Sequence, residues 1–137
     1  PEALKLLETK VAADDNWRVQ EMLAKAFDAY CRAKGYQESL PTIERWLSHQ
    51  NPNIRRAVVE GLRIWTGRPF FKDNPNIAIQ LIARIKSTAG ESEYLARSIG
   101  NALHDIRKAY PDLVAMEVSG WDLTDKNLSL IKKLTEK

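Results

Sequence analysis

One pattern of apolar positions occurs three times along the chain, in residues 16–30, 53–65 and 94–106, offset by 35 and then 41 residues. Within each segment apolar residues, or a glycine, stand at i, i+4, i+7, i+8 and i+11, which is the spacing of one face of an α-helix. Repeats of this length indicate a solenoid in which equivalent helices lie side by side. The positions are Val19, Leu23, Ala26, Phe27 and Tyr30; Ile54, Val58, Gly61, Leu62 and Trp65; and Leu95, Ile99, Ala102, Leu103 and Ile106.

Polar and proline-containing stretches divide the chain into eight predicted helices, and no strand pattern separates them. Asn51-Pro52 and Asn74-Pro75 each place a capping residue before a proline, whose missing N–H costs nothing in the first turn of a helix. The first predicted helix covers residues 2–12, and the second runs from a cap at Asp15 or Asn16 to Lys34. Ser39 and Pro41 open the third, which contains Leu47, while Asn51-Pro52 opens the fourth and Asn74-Pro75 the fifth. The sixth runs from Ser92 to Tyr110, the seventh from Pro111 to Val118, and the last from a cap at Thr124 to Glu136. We expect them to pair as first with second, third with fourth and fifth with sixth.

Polar residues form a second face on the repeated helices, two, six and nine positions after the first apolar residue of each. These polar row positions are Glu21, Lys25 and Asp28; Arg56, Glu60 and Arg63; and Arg97, Asn101 and His104, with Asp105 beside them. One interpretation is a solvated set of ion pairs one helical turn apart. The other is a functional surface, because guanidinium groups bind phosphate oxygens in pairs. A DNA groove that acted by electrostatics alone would not need the carboxylates.

Composition limits the classes of function. The chain has 21 Lys and Arg against 18 Asp and Glu, a formal net charge of +3 that permits nucleic-acid binding without requiring it. No apolar run approaches the roughly 18 residues of a membrane-spanning helix, and no signal peptide is visible. The single Cys31 cannot form an intrachain disulfide, so we expect a cytoplasmic protein. His, Cys and acidic residues lack metal-ligand spacing, so we expect no metal. No glycine-rich phosphate loop occurs either.

Three motifs carry a resemblance to a known family. They are N-W-x-V-x-E at residues 16–21, R-R-x-x-x-E-G-x-R at 55–63, and R-S-x-x-N-x-x-x-D-I-x-K at 97–108. Together with the strings NPNIRRAVVEGLRIWTGRPFFKDNP and SEYLARSIGNALHDIRKAYPDL, they resemble the DNA alkylation repair proteins with HEAT-like repeats, which include the AlkC-like and AlkD-like DNA glycosylases. The resemblance extends from residue 16 to about residue 121 and is closer to the AlkC-like pattern.

This resemblance implies an all-α fold, a right-handed superhelical stack of HEAT-like helix pairs with about three repeats plus C-terminal helices. It implies that residues 1–137 form one domain that lacks N-terminal repeats of the full family. It also implies binding of duplex DNA on a concave basic face and hydrolytic excision of cationic N3- or N7-alkylated purines, without metal or organic cofactor. In the AlkD-like branch the site uses a Trp, an Asp four residues later, an Arg on the next repeat and a second Trp. The corresponding positions here are Trp17, Glu21, Arg56 and Asn101.

The chemistry of an alkylated purine explains why these residue types are needed. Its positive charge weakens the glycosidic bond, and a nearby carboxylate stabilises the cationic sugar that forms when the bond breaks. An indole face attracts a cation, with Trp17 the best-placed indole and Trp65 the alternative. The candidate catalytic carboxylates are Glu21, Glu60 and Asp105. The candidate DNA-binding residues are Trp17, Arg55, Arg56, Arg63, Arg97 and Asn101, with the arginines on flanking phosphates.

Two other interpretations are open from the residues alone. The chain is a HEAT-repeat scaffold that binds another protein, which a net charge of only +3 permits. Alternatively, it is a repeat protein that binds DNA without catalysis, in which case the arginines matter and the carboxylates do not. An exposed terminal repeat could also be covered by a protein partner or by a second copy of the chain.

Overall fold

The computed structural model describes residues 2–14, 16–86 and 93–137, and within them the chain forms only helices and turns. The cap predicted at Asp15 and the helix start predicted at Ser92 lie outside the described residues. None of the described helices is long and apolar enough to cross a membrane. The helices are α1 (Glu2–Leu6, continued by a π-helical turn, Leu7–Val11), α2 (Trp17–Lys34), α3 (Tyr36–Leu47), α4 (Pro52–Trp65), α5 (Pro75–Arg84), α6 (Glu93–Ala109), α7 (Pro111–Ser119) and α8 (Lys126–Thr135).

Side-chain caps begin three of these helices. Asn16 accepts a hydrogen bond from the backbone N–H of Arg18 at the start of α2, and Asn51 does the same for Asn53 in α4. The cap of α8 is Asp125, not the predicted Thr124, since the Asp125 carboxylate accepts from two backbone N–H groups of the first turn.

The third helix begins earlier than predicted. The sequence predicts that Ser39 and Pro41 open it, but α3 begins at Tyr36, immediately after Gly35. Gly35 has a φ of 102°, a conformation that a residue with a Cβ rarely adopts, so a single residue reverses the chain between α2 and α3. The Ser39 hydroxyl donates to the Gly35 carbonyl and closes this corner.

The helices form two layers. The front layer consists of α2, α4, α6 and α8, packed side by side in that order, and α1, α3, α5 and α7 form the back layer behind them. The front helices run parallel, because residues near the start of one contact residues near the start of the next: Glu21 contacts Arg56, and Arg56 contacts Tyr94. The predicted all-α solenoid is therefore confirmed, and α8 adds a fourth member to its front layer.

The repeated apolar pattern supplies the core between these layers. All ten of its residues in α4 and α6 are buried, whereas in α2 only Leu23 and Phe27 are. The difference arises because α2 stands at the end of the front layer among the described residues. Behind it, Phe27 stacks on the fully buried Trp46 with ring centroids 4.0 Å apart.

Candidate functional site

The polar row predicted from the sequence forms a groove across the front layer. Because α2, α4 and α6 are parallel, equivalent positions of their polar faces lie beside one another. The groove has a volume of about 410 Å³. Its lining combines small or aliphatic residues with charged ones. The lining residues are Glu21, Ala24, Lys25, Asp28, Glu60, Gly61, Arg63, Ile64 and Asp105.

Arg56 lies at the centre of a charged cluster at one end of this groove. Its Nη2 donates to Glu21 Oε1 at 2.7 Å and to Glu60 Oε1 at 3.4 Å. The Tyr94 ring covers the guanidinium at 4.6 Å, so only 7% of the Arg56 side chain is exposed. Arg56 is therefore not the accessible phosphate ligand that we expected; it holds one oxygen of Glu21, whose side chain is 45% exposed.

Glu60 is more fully engaged than Glu21. Its Oε2 accepts a hydrogen bond from the Ser98 hydroxyl at 2.9 Å, and its Oε1 lies 3.6 Å from Arg63 Nη1 as well as facing Arg56. These partners come from α4 and α6, so the Glu60 carboxylate joins two helices of the front layer. A carboxylate with both oxygens occupied in this way is suited to holding side chains in place.

Asp105 pairs with Arg63 across the groove. Arg63 Nε donates to Asp105 Oδ2, and Lys108 Nζ lies 3.6 Å from the other oxygen. Burial would raise the pKa of Asp105, but the hydrogen bond and charge of Arg63 and the charge of Lys108 outweigh it, so the pKa lies below its usual value. The same pair raises the pKa of Arg63. Asp105 is therefore an ionised carboxylate at neutral pH.

Trp17 stands exposed at the start of α2. It is 65% exposed, although large aromatic side chains are usually well covered. The guanidinium of Arg18 lies 5.3 Å from its ring centroid. Trp17 precedes Glu21 by four residues, so the two side chains share one face of the helix. The alternative indole, Trp65, is fully buried and cannot contact a ligand.

Two predicted DNA-binding residues have opposite environments. Arg55 is 4% exposed and lies in the interior, so the expectation that it contacts phosphate is wrong for this conformation. Arg97 is 54% exposed on α6, where it pairs with Glu93 at 3.0 Å. Asn101 is also exposed. A second depression of about 200 Å³ is lined by Arg56, Glu60, Tyr94, Arg97, Ser98 and Asn101.

Asp28 is a residue of the polar row whose carboxylate connects neighbouring helices. Its Oδ1 accepts from Trp65 Nε1 and from Arg68 Nη1, both at 2.7 Å, and from the Tyr36 hydroxyl at 3.3 Å. Its Oδ2 accepts from Arg32 at 3.1 Å. One carboxylate thus connects α2 with α3, α4 and the turn that follows α4.

Other polar candidates are accounted for by packing. His104 is half-buried, with Nδ1 3.2 Å from the Thr135 carbonyl oxygen of α8. Within residues 2–14, 16–86 and 93–137, no three His, Cys, Asp or Glu side chains come together as a metal site would require.

Sequence reasoning missed three residues, one that lines the groove and two that line the second depression. Tyr94 covers Arg56 and Ser98 donates a hydrogen bond to Glu60, while Ile64 lines the groove with 54% of its surface exposed. Tyr94 precedes the first apolar position of its repeat, where the other two repeats have Arg18 and Asn53. The aromatic residue at this position of one repeat is the sequence signal that distinguishes Tyr94. Only the packing of α6 on α4 shows that its ring covers Arg56.

Comparison with known proteins identifies similar chains. No protein-family model matches the chain. It is 30% identical over 80 residues to the uncharacterized protein YhaZ of Bacillus subtilis, a match that covers 56% of this chain and 22% of that protein. Two solved structures match 99% of this chain: smu.31 from Streptococcus mutans UA159, with 50% identity and a TM-score of 0.93, and AlkD2 from Streptococcus mutans, with 51% identity and a TM-score of 0.94. The chain spans 67% and 65% of those two chains, respectively.

Proposed function

We propose that this chain, which belongs to the AlkD-like family of helical-repeat proteins, acts in DNA alkylation repair. The comparisons support the AlkD-like branch and do not support the preference for the AlkC-like pattern drawn from the sequence motifs. The specific activity that we propose is binding of duplex DNA followed by hydrolytic removal of cationic N3- or N7-alkylated purines.

The observation that carries this proposal is the arrangement of Trp17, Glu21 and Arg56. The indole is exposed, the carboxylate stands one turn further along the same helix, and the buried arginine holds one carboxylate oxygen at 2.7 Å. An indole face attracts a cationic base by about 0.5–2 kcal/mol. A carboxylate held by a buried arginine does not have to reorganise when positive charge develops on the sugar. The arrangement therefore fits a reaction in which a cation is bound and a second cation forms.

The proposed reaction is a hydrolysis at the sugar. A water molecule adds to C1′ as the bond between C1′ and the purine nitrogen breaks. The electron pair of that bond leaves with the purine, which cancels the positive charge of the alkylated base and releases it as a neutral molecule. The water gives one proton to Glu21 or to solvent, and the DNA strand retains a sugar without a base.

We assign different roles to the three candidate carboxylates. Glu21 has one oxygen held and a side chain that is 45% exposed, so it can face a ligand. Glu60 and Asp105 are occupied by Ser98, Arg63 and Lys108. In this proposal Glu60 and Asp105 position the arginines of the groove, and Glu21 is the catalytic carboxylate.

The test is release of free base from methylated duplex DNA by the native chain and by Glu21→Gln. We expect the variant to release base about 100-fold more slowly while binding DNA at least as well, because a negative charge is removed. The matched control is Glu44→Gln, which removes an equally exposed carboxylate from the back layer, where Glu44 pairs with Arg84 at 3.4 Å. Equal rates for the native chain and both variants would remove Glu21 from the mechanism.

A non-catalytic DNA-binding protein is the second candidate function. It is favoured by the charge pairing of the groove, since each row carboxylate has a cationic partner within the described residues: Arg56 for Glu21, Arg68 for Asp28, Arg56 for Glu60, and Arg63 for Asp105. DNA binding by the native chain without any release of base would support this candidate. Absence of DNA binding would favour a scaffold that binds protein.

A further inference from the structure

The last helix repeats the register of the other front helices. Its buried residues Leu128, Ile131 and Thr135 have the spacing of Ile99, Ala102 and Ile106 in α6. The two helices approach closely at Gly100, where an added Cβ would lie 2.6 Å from the Cβ of Leu134. Contacts from Gly100 to Ile131 and from His104 to Thr135 preserve one offset, so α8 runs parallel to α6. Helix α8 therefore extends the groove by one further helix.

This register identifies the residues of α8 that continue the polar row. In α6 the row positions are Arg97, Asn101 and His104, which correspond in α8 to Lys126, Leu130 and Lys133. Both lysines are exposed. None of the three α8 positions is a carboxylate, in contrast to the paired charges of the rows on α2 and α4. The extension of the groove is therefore cationic.

The excess charge of the whole chain is concentrated at this end. Residues 126–137 contain four lysines and one glutamate, a net charge of +3, and the complete chain has the same net charge of +3. Outside this segment 17 basic residues balance 17 acidic residues. Glu136, the segment's one acid, is held by Lys132 at 3.2 Å. The remaining positive charge is thus available to a polyanion at the α8 end of the groove.

Helix stability does not explain Lys126, whereas Lys133 lies in the last turn of α8, where the helix dipole favours a cation. Lys126 is the first residue of α8, where the helix dipole disfavours a cation. The adjacent Asp125 carboxylate is occupied by the N–H groups of Asn127 and Leu128, which it caps. A residue that opposes the dipole at an exposed position is better explained by an interaction with another molecule.

We propose that the lysine face of α8, defined by Lys126 and Lys133, binds the phosphate backbone of duplex DNA; this inference rests on the proposed function and adds to it the place where the backbone is held. Seven residues along a helix span about 10 Å. One strand of DNA advances about 3.4 Å per phosphate, so the two lysines reach phosphates about three nucleotides apart. The opposite end of the groove, where the proposed function places the alkylated base beside Trp17 and Glu21, then needs few phosphate contacts of its own.

The test measures DNA affinity against salt concentration for the native chain and for the double variant Lys126→Gln/Lys133→Gln, using a fluorescent 20-base-pair duplex. The control is Lys5→Gln/Lys10→Gln, which removes the same charge from two exposed lysines of the back layer at the other end of the chain. Each lost phosphate contact reduces the slope of log affinity against log salt by about 0.9. We expect a reduction of about 1.8 for the α8 variant and no change for the control.

Equal slopes for the native chain and the α8 variant would overturn the inference, and so would equal reductions in both variants, which would reflect net charge alone. Base release measured in parallel separates this result from the proposed function. Release by an α8 variant with an unchanged slope refutes only the phosphate site. An α8-dependent slope without base release refutes only the excision step, and absence of DNA binding by the native chain refutes both.

Discussion

Replacing Asp28 by asparagine removes the charge that connects three helices with the turn after α4. Asp28 accepts hydrogen bonds from Trp65 and Arg68 at 2.7 Å and from Arg32 at 3.1 Å. Asparagine has nearly the same shape, so the substitution tests the charge and leaves no cavity. We expect Asp28→Asn to lower the free energy of unfolding while leaving base release per folded molecule unchanged.

The size of the effect follows from the exposure of each partner. A hydrogen bond to a charged group contributes about 1.5–3 kcal/mol. The asparagine oxygen can still accept from Trp65, and Arg32 is 62% exposed, so its pair with Asp28 contributes little. The main loss is the bond from Arg68, whose side chain is 28% exposed and therefore partly screened. We expect a loss of about 2 kcal/mol at pH 7.

The pH dependence gives this prediction a second readout. Burial would raise the pKa of Asp28, but hydrogen bonds from Trp65, Arg68 and Arg32 outweigh it and hold the pKa below its usual value. A carboxyl with a depressed pKa in the folded state contributes stability above its unfolded-state pKa of about 4 and loses it as pH falls through the folded-state value. The difference between native chain and variant should therefore be complete at pH 7 and pH 5 and shrink below about pH 4.

Urea unfolding, followed by Trp fluorescence, measures both quantities. The control is Asp73→Asn, which changes an exposed carboxylate and should alter the free energy of unfolding by less than about 0.5 kcal/mol. A loss for Asp28→Asn no larger than that of the control, or one that persists undiminished at pH 3, would refute the view that the Asp28 charge ties these elements together.

Three further predictions concern packing and exposure. Gly61→Ala should destabilise the chain by about 1–3 kcal/mol in urea unfolding despite its better helix propensity, because the new Cβ would lie 2.4 Å from the buried Trp65 ring; Gly67→Ala meets nothing closer than 3.6 Å and should be close to neutral. Burial raises the pKa of the Cys31 thiol to about 12, so a thiol reagent at pH 8 should react only after urea unfolds the chain. Trp17→Ala should change the free energy of unfolding by less than about 0.5 kcal/mol, because the side chain is 65% exposed. The same variant should release base about tenfold more slowly. An unchanged rate would exclude a contact between the indole and the base.

Sequence and structure agree best where the signal is local and strong. The apolar spacing in residues 53–65 and 94–106 predicted two buried helix faces, and every position of that pattern is buried. The repeated pattern does not predict the fourth front helix, because Thr124 and Lys132 stand where the pattern requires apolar residues. Among the described residues α8 stands at the edge of the front layer, so fewer of its positions are covered, fewer must be apolar, and the periodic signal weakens for a physical reason.

The charged residues of the groove show the limit of sequence reasoning. The sequence predicts phosphate binding by both Arg55 and Arg56, but Arg55 lies in the interior and Arg56 is covered by Tyr94 and paired with two carboxylates. Successive residues of a helix point about 100° apart. Neighbouring arginines therefore meet different helices, and the sequence does not state which helix will be there.

The sequence alone determined that the chain forms helices, where most of them begin and end, and which positions carry the polar row. These properties depend on spacing, capping and chain-breaking residues, which act over a few positions. Only the tertiary structure decided which row residues are accessible, since burial and charge pairing depend on helices about 35–42 positions apart in the chain, as in the contacts of Arg56 with Glu21 and of Arg63 with Asp105. The sequence therefore supplies the residue types of the groove, and the packing of α2, α4 and α6 decides which of them a ligand can reach.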